Sequence, residues 1–203
     1  MEAIILAGGL GTRLREAVPD VPKPMAPISE RPFLEHLLNY WVGQGVDRFI
    51  CSVGYKWKII QNYFGSSYNG AAIEYSIEKT PLGTGGGVML ALNKLDKKQP
   101  CLLLNGDTFF KVPLANFMEF HNQEGAEISL ALRHVSGANR YDWVILNNDS
   151  SVQRFELRSQ NVKSGLINGG VYLLNPVVFK FETLDGSSKL SLEYDMIPKA
   201  LNE

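Results

Sequence analysis

The residues with the clearest chemical potential lie in a glycine-rich stretch near the N terminus. The apolar run Ala3-Ile4-Ile5-Leu6 is typical of a buried strand, and it leads into Ala7-Gly8-Gly9-Leu10-Gly11-Thr12-Arg13-Leu14. Glycines allow backbone N–H groups to turn outward and hold an anion, and Thr12 adds a hydroxyl donor. Two cations, Arg13 and Lys23, can reach the same phosphates. The stretch therefore predicts a phosphate-binding loop.

Two better-known glycine-rich motifs do not fit this spacing. A P-loop requires Gly-Lys followed by Ser or Thr, and a dinucleotide fingerprint requires G-x-G-x-x-G at the start of a helix. Here Arg13-Leu14 follows Gly11-Thr12, and Pro22-Lys23-Pro24 comes soon after. The remaining alternative is a tight turn that only ends a strand, but three glycines, a cation and Pro-Lys-Pro exceed what a turn requires.

Further polar residues follow two later apolar runs. Asn105-Gly106-Asp107-Thr108 comes after a predicted strand at 101–104, and Asp107 places a hard carboxylate there that suits Mg²⁺. The alternative is an Asx-type turn at a strand end. A predicted strand at 73–77 leads into Glu78-Lys79-Thr80-Pro81-Leu82-Gly83-Thr84-Gly85-Gly86-Gly87. For this second motif the alternatives are an ordinary capped helix start and a solvated charge.

The elements that must position these motifs alternate between strand and helix. The strand-like runs lie at 3–6, 49–53, 73–77 and 101–104, and the helical patterns at 33–41, 56–64 and 88–92. This order predicts an α/β fold, a Rossmann-like three-layer α/β/α arrangement around a mostly parallel sheet, with ligands at the carboxyl ends of the strands. Short alternating runs at 143–146, 152–155 and 166–174 predict an antiparallel extension, and Ser191 is placed to cap a closing helix.

Length and composition narrow the classes of protein to consider. A chain of 203 residues that is 45% apolar predicts one domain, 1–203. The balance of 20 Lys and Arg against 21 Asp and Glu indicates a small-molecule partner rather than a nucleic acid or a membrane. This charge balance is also compatible with a homo-oligomer. The first strand leaves no room for a signal peptide, so we expect a cytoplasmic protein. Cys51 and Cys101 are expected as reduced, buried thiols, and His121 and His134 as surface or loop residues without a catalytic role.

Taken together, Gly8-Gly9-Leu10-Gly11-Thr12-Arg13-Leu14 and Pro22-Lys23-Pro24-Met25 resemble the signature of the sugar-phosphate nucleotidyltransferases. The resemblance continues through residues 78–87, Asn105-Gly106-Asp107 and Asn168-Gly169-Gly170, so it covers almost the whole chain. It implies a nucleotidyltransferase fold with a nucleotide-binding half at 1–110 and a sugar-binding half at 111–203. The implied reaction joins a nucleoside triphosphate to a sugar 1-phosphate and releases pyrophosphate.

The resemblance also implies roles for particular residues. Arg13, Lys23 and Asp107 take the catalytic positions, and Asp107 is the implied Mg²⁺ ligand. The residues implied to bind the nucleotide are Leu6, Ala7, Gly8, Gly9, Gly11, Thr12, Glu78, Pro81, Gly83, Thr84 and Gly106. Guanine shows two adjacent donors on its pairing edge, and the Glu78 carboxylate can accept both, so we expect GTP as the nucleotide.

The implied sugar-phosphate site departs from the family pattern in two places. The residues implied to form it are Tyr141, Asp142, Glu156, Arg158, Asn168 and Gly169. Tyr141 is followed by Asp142 where the family has glycine, and a carboxylate there would repel a sugar phosphate. The family's Phe-x-Glu-Lys appears with Glu156 displaced by one position, although Arg158 can replace the lysine.

A third departure concerns the metal. The family places a second Asp on a later strand of the form Phe-x-Asp-x-Gly, which does not occur before Glu203. Either Asp107 carries the metal without it, with Asp195 as the nearest substitute, or the sequence is truncated. Within the family, the motifs are most similar to those of the bacterial D-glycero-α-D-manno-heptose 1-phosphate guanylyltransferases, which make GDP-heptose. Mannose 1-phosphate guanylyltransferases and a non-catalytic nucleotide-sugar binding module remain as alternatives.

Overall fold

A computed structural model describes residues 1–9, 11, 18–96, 99–136, 141–157, 164–179 and 189–201. Its strands, in chain order, are β1 (Glu2–Leu6), β2 (Pro27–Ile28), β3 (Arg31–Pro32), β4 (Arg48–Val53), β5 (Ser67–Tyr68), β6 (Ala71–Ile77), β7 (Cys101–Asn105), β8 (Ile128–Ser136), β9 (Trp143–Leu146), β10 (Val152–Glu156) and β11 (Ser164–Leu174). Its α-helices are α1 (Phe33–Gly43), α2 (Trp57–Phe64), α3 (Gly83–Leu92), α4 (Leu114–Gln123) and α5 (Ile197–Leu201).

The main sheet joins a parallel half to an antiparallel half. Its strand order is β10-β9-β11-β7-β1-β4-β6-β5, and β8 also pairs with β11. The ladders β7-β1-β4-β6 are parallel, whereas β11 runs antiparallel to β7, β8 and β9. The mostly parallel sheet with an antiparallel extension was predicted from the sequence and is confirmed. The two halves share the sheet through the β7–β11 pair.

Both faces of the parallel strands are buried, which explains their continuous apolar sequence. Alternate residues of β1 point to opposite faces: Ile5 packs in the core under α1, α2 and α4, and Ile4 in the core under α3 and α5. Both side chains are fully buried. The sheet is thus the middle layer of three. Within the described ranges, no helix is long and apolar enough to cross a membrane.

Helix α3 begins earlier than its sequence suggests. Residues 83–87, four of them glycine, form its first turns, although glycine disfavours a helix interior. Close packing supplies the reason. A Cβ at Gly83 would overlap the carbonyl oxygen of Leu190, and a Cβ at Gly85 would lie 2.5 Å from the sulfur of Met196. The glycines therefore allow the C-terminal segment to contact this helix start.

The expectation that His121 lies at the surface or in a loop was wrong. Leu114, Phe117 and His121 share one face of α4, and all three are buried against the sheet. The His121 Nδ1 lies 2.9 Å from the Ser129 hydroxyl, and burial lowers the pKa of the ring below its ordinary value. The two cysteines, in contrast, are buried and free of disulfides, and burial raises the pKa of each thiol to about 12.

Candidate active site

A cleft of about 690 Å³ opens at the carboxyl ends of β1, β6 and β7. Such edges of parallel sheets are where α/β proteins bind ligands. The cleft is lined by Leu6, Ala7, Gly8, Gly9, Gly11, Lys23, Pro24, Glu78, Pro81, Gly83, Thr84, Asn105, Asp107 and Lys189. Most residues predicted for nucleotide binding therefore surround one space, together with the predicted Lys23 and Asp107.

The glycine loop turns into this cleft directly after β1. Gly9 faces open space, because a Cβ there would meet nothing within 4 Å. Gly11 has a φ of +57°, and a Cβ on it would lie 3.1 Å from the Cβ of Lys23. A glycine at this position thus serves both the left-handed turn and the approach of the lysine segment. Thr12 and Arg13, also predicted here, lie outside the described residues.

Lys23 and Asp107 form an ion pair on the cleft wall. The Lys23 Nζ lies 2.6 Å from Asp107 Oδ2, and the two side chains are 41% and 40% exposed. Lys23 begins a 3-10 turn after Pro22, and Asp107 follows the end of β7. Residues 84 positions apart in sequence thereby place a cation and a carboxylate together beside the glycine loop. This pair can hold opposite charges of a phosphate–metal complex.

Gly106 holds Asp107 against the first strand. The Gly106 N–H donates to the Leu6 carbonyl at 2.9 Å, and a Cβ on Gly106 would lie 2.6 Å from that oxygen. Glycine is therefore required where the extension of β7 runs beside the end of β1. The Asp107 Oδ1 also accepts from the Thr108 hydroxyl at 3.3 Å. These contacts orient the carboxylate toward the cleft.

Glu78 is a partly buried carboxylate with two protein donors. Its Oε2 accepts from the Leu82 N–H at 3.1 Å, and its Oε1 from the Ser52 hydroxyl at 3.2 Å. Two glycines make room for it, because a Cβ would lie 2.6 Å from Oε1 at Gly8 and 3.0 Å at Gly87. Each carboxylate oxygen has a second lone pair, so two acceptor positions remain.

The C-terminal segment at 190–196 packs against the start of α3, beside the cleft. Leu190 exchanges backbone hydrogen bonds with the start of α3: its N–H donates to the Leu82 carbonyl, and its carbonyl accepts from the Gly85 N–H, each at 2.9 Å. The Leu192 N–H donates to the Thr84 hydroxyl at 2.9 Å. Thr84 therefore lines the cleft while its hydroxyl is bonded to protein. The Ser191 hydroxyl accepts from the Tyr194 N–H, so the predicted N-cap is confirmed.

The described members of the predicted sugar site lie along the antiparallel half, and none of them is among the residues that line this cleft. Asn168 is bonded to Tyr172 and, through Oδ1, to the Gly170 N–H at 2.9 Å. Asp142 accepts from the Tyr194 hydroxyl at 2.6 Å, and Tyr141 beside it is exposed.

Two other members of that predicted set follow the same half of the sheet. Glu156 pairs with Arg154 of its own strand at 2.9 Å. A Cβ on Gly169 would overlap the ring of Phe110, so the strand and this ring pack closely. Arg158 lies outside the described residues.

Three residues of the cleft were missed by the sequence analysis: Pro24, Asn105 and Lys189. Pro24 and Asn105 belong to motifs quoted above, so their place in those motifs could have identified them as cleft residues. Lys189 carries no motif, and the following residues Leu190 and Leu192 are hydrogen-bonded to the segment 82–85 beside the cleft. Ser52, which supports Glu78 from β4, is fully buried and equally without a sequence signal.

The donor set fits a metal that is shared with a ligand. Within the described ranges, no three His, Cys, Asp or Glu side chains come together as a metal site. Asp107 supplies one carboxylate on the cleft wall, and Mg²⁺ is commonly held by one or two carboxylates plus phosphate oxygens. Asp195 does not line the cleft; its Oδ2 accepts from the Ser191 N–H at 2.6 Å. Of Asp107 and Asp195, Asp107 is therefore the one placed to share a metal with a ligand in the cleft.

Sequence and structure comparisons found similar proteins. The chain is 45% identical over 199 residues to a D-glycero-α-D-manno-heptose 1-phosphate guanylyltransferase of Aneurinibacillus thermoaerophilus, covering 98% of this chain and 84% of the relative. It is 44% identical to the protein of the same name from Campylobacter jejuni, covering 88% and 78%. The crystal structure of HddC from Yersinia pseudotuberculosis complexed with GMP-PN superposes with a TM-score of 0.84 at 33% identity, covering 98% and 85%.

The family model for nucleotidyl transferases matches residues 2–203. This match spans the glycine loop, the Lys23–Asp107 pair and the antiparallel half alike. The chain belongs to the nucleotidyl transferase family.

Proposed function

We propose that the chain transfers a guanylyl group from GTP to D-glycero-α-D-manno-heptose 1-phosphate, giving GDP-heptose and pyrophosphate. The observation that carries the proposal is the cleft that joins the glycine loop, the Lys23–Asp107 pair and the Glu78 carboxylate. The guanylyltransferase names of relatives at 44–45% identity support the choice of substrates. Residues 1–110 would supply most nucleotide contacts, although Lys189 from the sugar half also lines the cleft.

The reaction needs neutralisation of phosphate charge rather than a general base. The attacking sugar phosphate is already an anion, so the barrier comes from aligning two anions and stabilising charge on the α-phosphate and the leaving pyrophosphate. The loop N–H groups and Arg13 would hold the triphosphate, and Lys23 would steer the sugar phosphate toward it. Mg²⁺ bound at Asp107 would neutralise part of the phosphate charge.

Glu78 supports the choice of guanine. Its two oxygens already accept from Ser52 and Leu82, which fixes the plane of the carboxylate. The remaining lone pairs can accept from guanine N1–H and the 2-amino group together. Uracil and thymine present carbonyl oxygens beside their one N–H, and these would face the carboxylate unfavourably. GTP is therefore the expected nucleotide.

Asn168 supports the sugar half of the reaction. Its amide offers a donor and an acceptor, a suitable pair for neighbouring sugar hydroxyls. Arg158 would bind the sugar phosphate, with Tyr141 and Gly169 near the sugar and Glu156 as a weaker candidate. Mannose 1-phosphate is the alternative acceptor, since the two sugars share ring stereochemistry and differ in the arm beyond the ring.

Pyrophosphate release across GTP, ATP, UTP and dTTP with heptose, mannose and glucose 1-phosphates tests the proposal. We expect GTP with the heptose phosphate to give the highest kcat/KM. A mannose preference would select the alternative acceptor. No turnover with any pair, together with binding of GDP-sugars, would reject the enzyme in favour of a nucleotide-sugar binding module.

A further inference from the structure

Glu193 has no place in the proposed chemistry, yet it contacts both halves of the molecule. Its Oε1 accepts from the Tyr172 hydroxyl of β11 at 2.9 Å. Its Oε2 lies 3.4 Å from the hydroxyl of Thr84 at the start of α3 and 3.4 Å from that of Ser191. Three hydroxyl groups thus surround one partly buried carboxylate. Two of them, on Thr84 and Tyr172, belong to elements that are far apart in sequence.

The carboxylate determines the direction of a chain of hydrogen bonds. A carboxylate only accepts, so the Tyr172 hydroxyl donates its single proton to Glu193. The tyrosine oxygen must then accept from its other neighbour, which is the Nδ2 of Asn168. This leaves Asn168 Oδ1 to accept the Gly170 N–H at 2.9 Å. The opposite amide orientation would place Oδ1 against a hydroxyl oxygen whose only proton is donated to Glu193, and Nδ2 against the Gly170 N–H.

The middle of this chain is sealed from water. Tyr172 is fully buried in the core beneath α3 and α5, so water cannot replace either of its partners. Burial, and then the neighbouring Glu193 charge, raise the pKa of the tyrosine well above its ordinary value. The hydroxyl therefore keeps its proton and can donate it to Glu193.

The local backbone explains why Asn168 needs this support. Asn168 stands at the start of an irregularity in the β11–β8 pairing, where the register shifts before Tyr172. Gly170 within it has a φ of +72°, and a Cβ there would lie 2.9 Å from the Asn105 side-chain nitrogen. The regular strand pairing is interrupted at this point beside the end of β7. The position of the Asn168 side-chain amide therefore depends on its own hydrogen bonds.

We infer that Glu193 is a positioning residue for sugar recognition: acting through the Tyr172 hydroxyl, it holds the donor end of the Asn168 amide, while the Gly170 N–H holds the acceptor end. The inference rests on the proposed function, in which that amide binds sugar hydroxyls. The second N–H of Nδ2 and the second lone pair of Oδ1 then meet the sugar in one arrangement. The site therefore favours a sugar in which one hydroxyl can accept from Nδ2 and its neighbour can donate to Oδ1.

Glu193→Gln tests this role because it keeps the shape and no longer requires the Tyr172 hydroxyl to donate in one direction. An amide can donate to Tyr172 as well as accept from it, so the tyrosine proton can turn toward Asn168 Nδ2 and weaken the hold on the donor end, while the Gly170 N–H still holds Oδ1. We expect KM for the sugar 1-phosphate to rise about five- to ten-fold, the effect of one hydrogen bond to the ligand. We expect kcat and the KM for GTP to stay within about two-fold.

Two further variants separate positioning from general damage. Tyr172→Phe removes the group through which Glu193 acts, so the double variant should match the larger single effect instead of multiplying the two. Asp195→Asn is the matched control, because its carboxylate lies in the same segment and bonds to the Ser191 N–H. It should leave the KM for sugar unchanged.

Calorimetry with GDP and GDP-mannose gives a readout that does not need turnover. The wild type should bind GDP-mannose more tightly than GDP, and Glu193→Gln should reduce that difference without changing GDP affinity. If the wild type turns over no sugar phosphate but shows this pattern, the proposed reaction fails and the positioning role stands. The role is overturned by an unchanged sugar KM, multiplying effects in the double variant, equal losses for both ligands, or no sugar contribution in the wild type.

Discussion

Replacing Glu78 with glutamine should remove much of the preference for GTP. Glu78 has two bonds to protein donors, from the Leu82 N–H and the Ser52 hydroxyl. Glutamine has one acceptor oxygen, and the backbone N–H of Leu82 cannot rotate away, so that oxygen must turn toward it. The amide nitrogen then takes the other position, where the Ser52 hydroxyl can rotate to accept.

The size of the effect follows from this orientation. In the Glu78→Gln variant the side-chain nitrogen would face one of the two guanine donors, so one charge-assisted hydrogen bond is lost and two donors are opposed. A hydrogen bond to a charged group contributes about 1.5–3 kcal/mol. We therefore expect kcat/KM for GTP to fall by roughly 10- to 150-fold. UTP should change little, because it does not use both acceptors.

Steady-state kinetics with GTP, ITP and UTP measures the preference directly. Inosine lacks the 2-amino group, so the wild type should prefer GTP over ITP, and Glu78→Gln should shrink that gap. Glu119→Gln, on the exposed face of α4, is the control and should behave like the wild type. An unchanged GTP-to-UTP ratio in Glu78→Gln would refute the guanine-edge reasoning, and equal losses for all three nucleotides would indicate a folding defect.

The other predictions concern the metal, the packing of α3 and a buried histidine. Asp107→Ala should abolish activity while Asp195→Ala retains most of it, and Mg²⁺ binding measured by calorimetry should be weak without GTP; tight binding to the nucleotide-free chain would contradict this. Gly83→Ala should destabilise the fold by about 1–3 kcal/mol in urea unfolding, because φ is +80° and a carbonyl oxygen blocks the Cβ. Gly43→Ala, with nothing near its Cβ, should be neutral or stabilising by up to about 1 kcal/mol. Burial lowers the pKa of His121, so below about pH 6.5 the unfolded chain binds a proton that the folded state does not, and stability should fall. Urea unfolding at pH 7.5 and 5.5 should show this loss, and His121→Gln should reduce it; an equal loss in both would assign it to other groups.

The sequence by itself determined the fold class and the family. Apolar runs that are buried on both faces carry their pattern locally, so β1, β4 and β7 could be predicted from residue type alone. Glycines and polar residues at the ends of these runs predicted where ligand groups would lie, because parallel strands present their carboxyl ends at one edge. The cap at Ser191 was also a local signal.

Only the tertiary structure decided how these groups are held. Ser52 and Leu82 bond Glu78, and Glu193 reaches Tyr172, through contacts between elements that no spacing rule connects. The start of α3 also depends on contacts between distant elements. Its glycines disfavour a helix locally, but packing against the C-terminal segment outweighs that preference. Side-chain partners depend on which surfaces meet after folding, and a residue's type and neighbours in sequence do not contain that information.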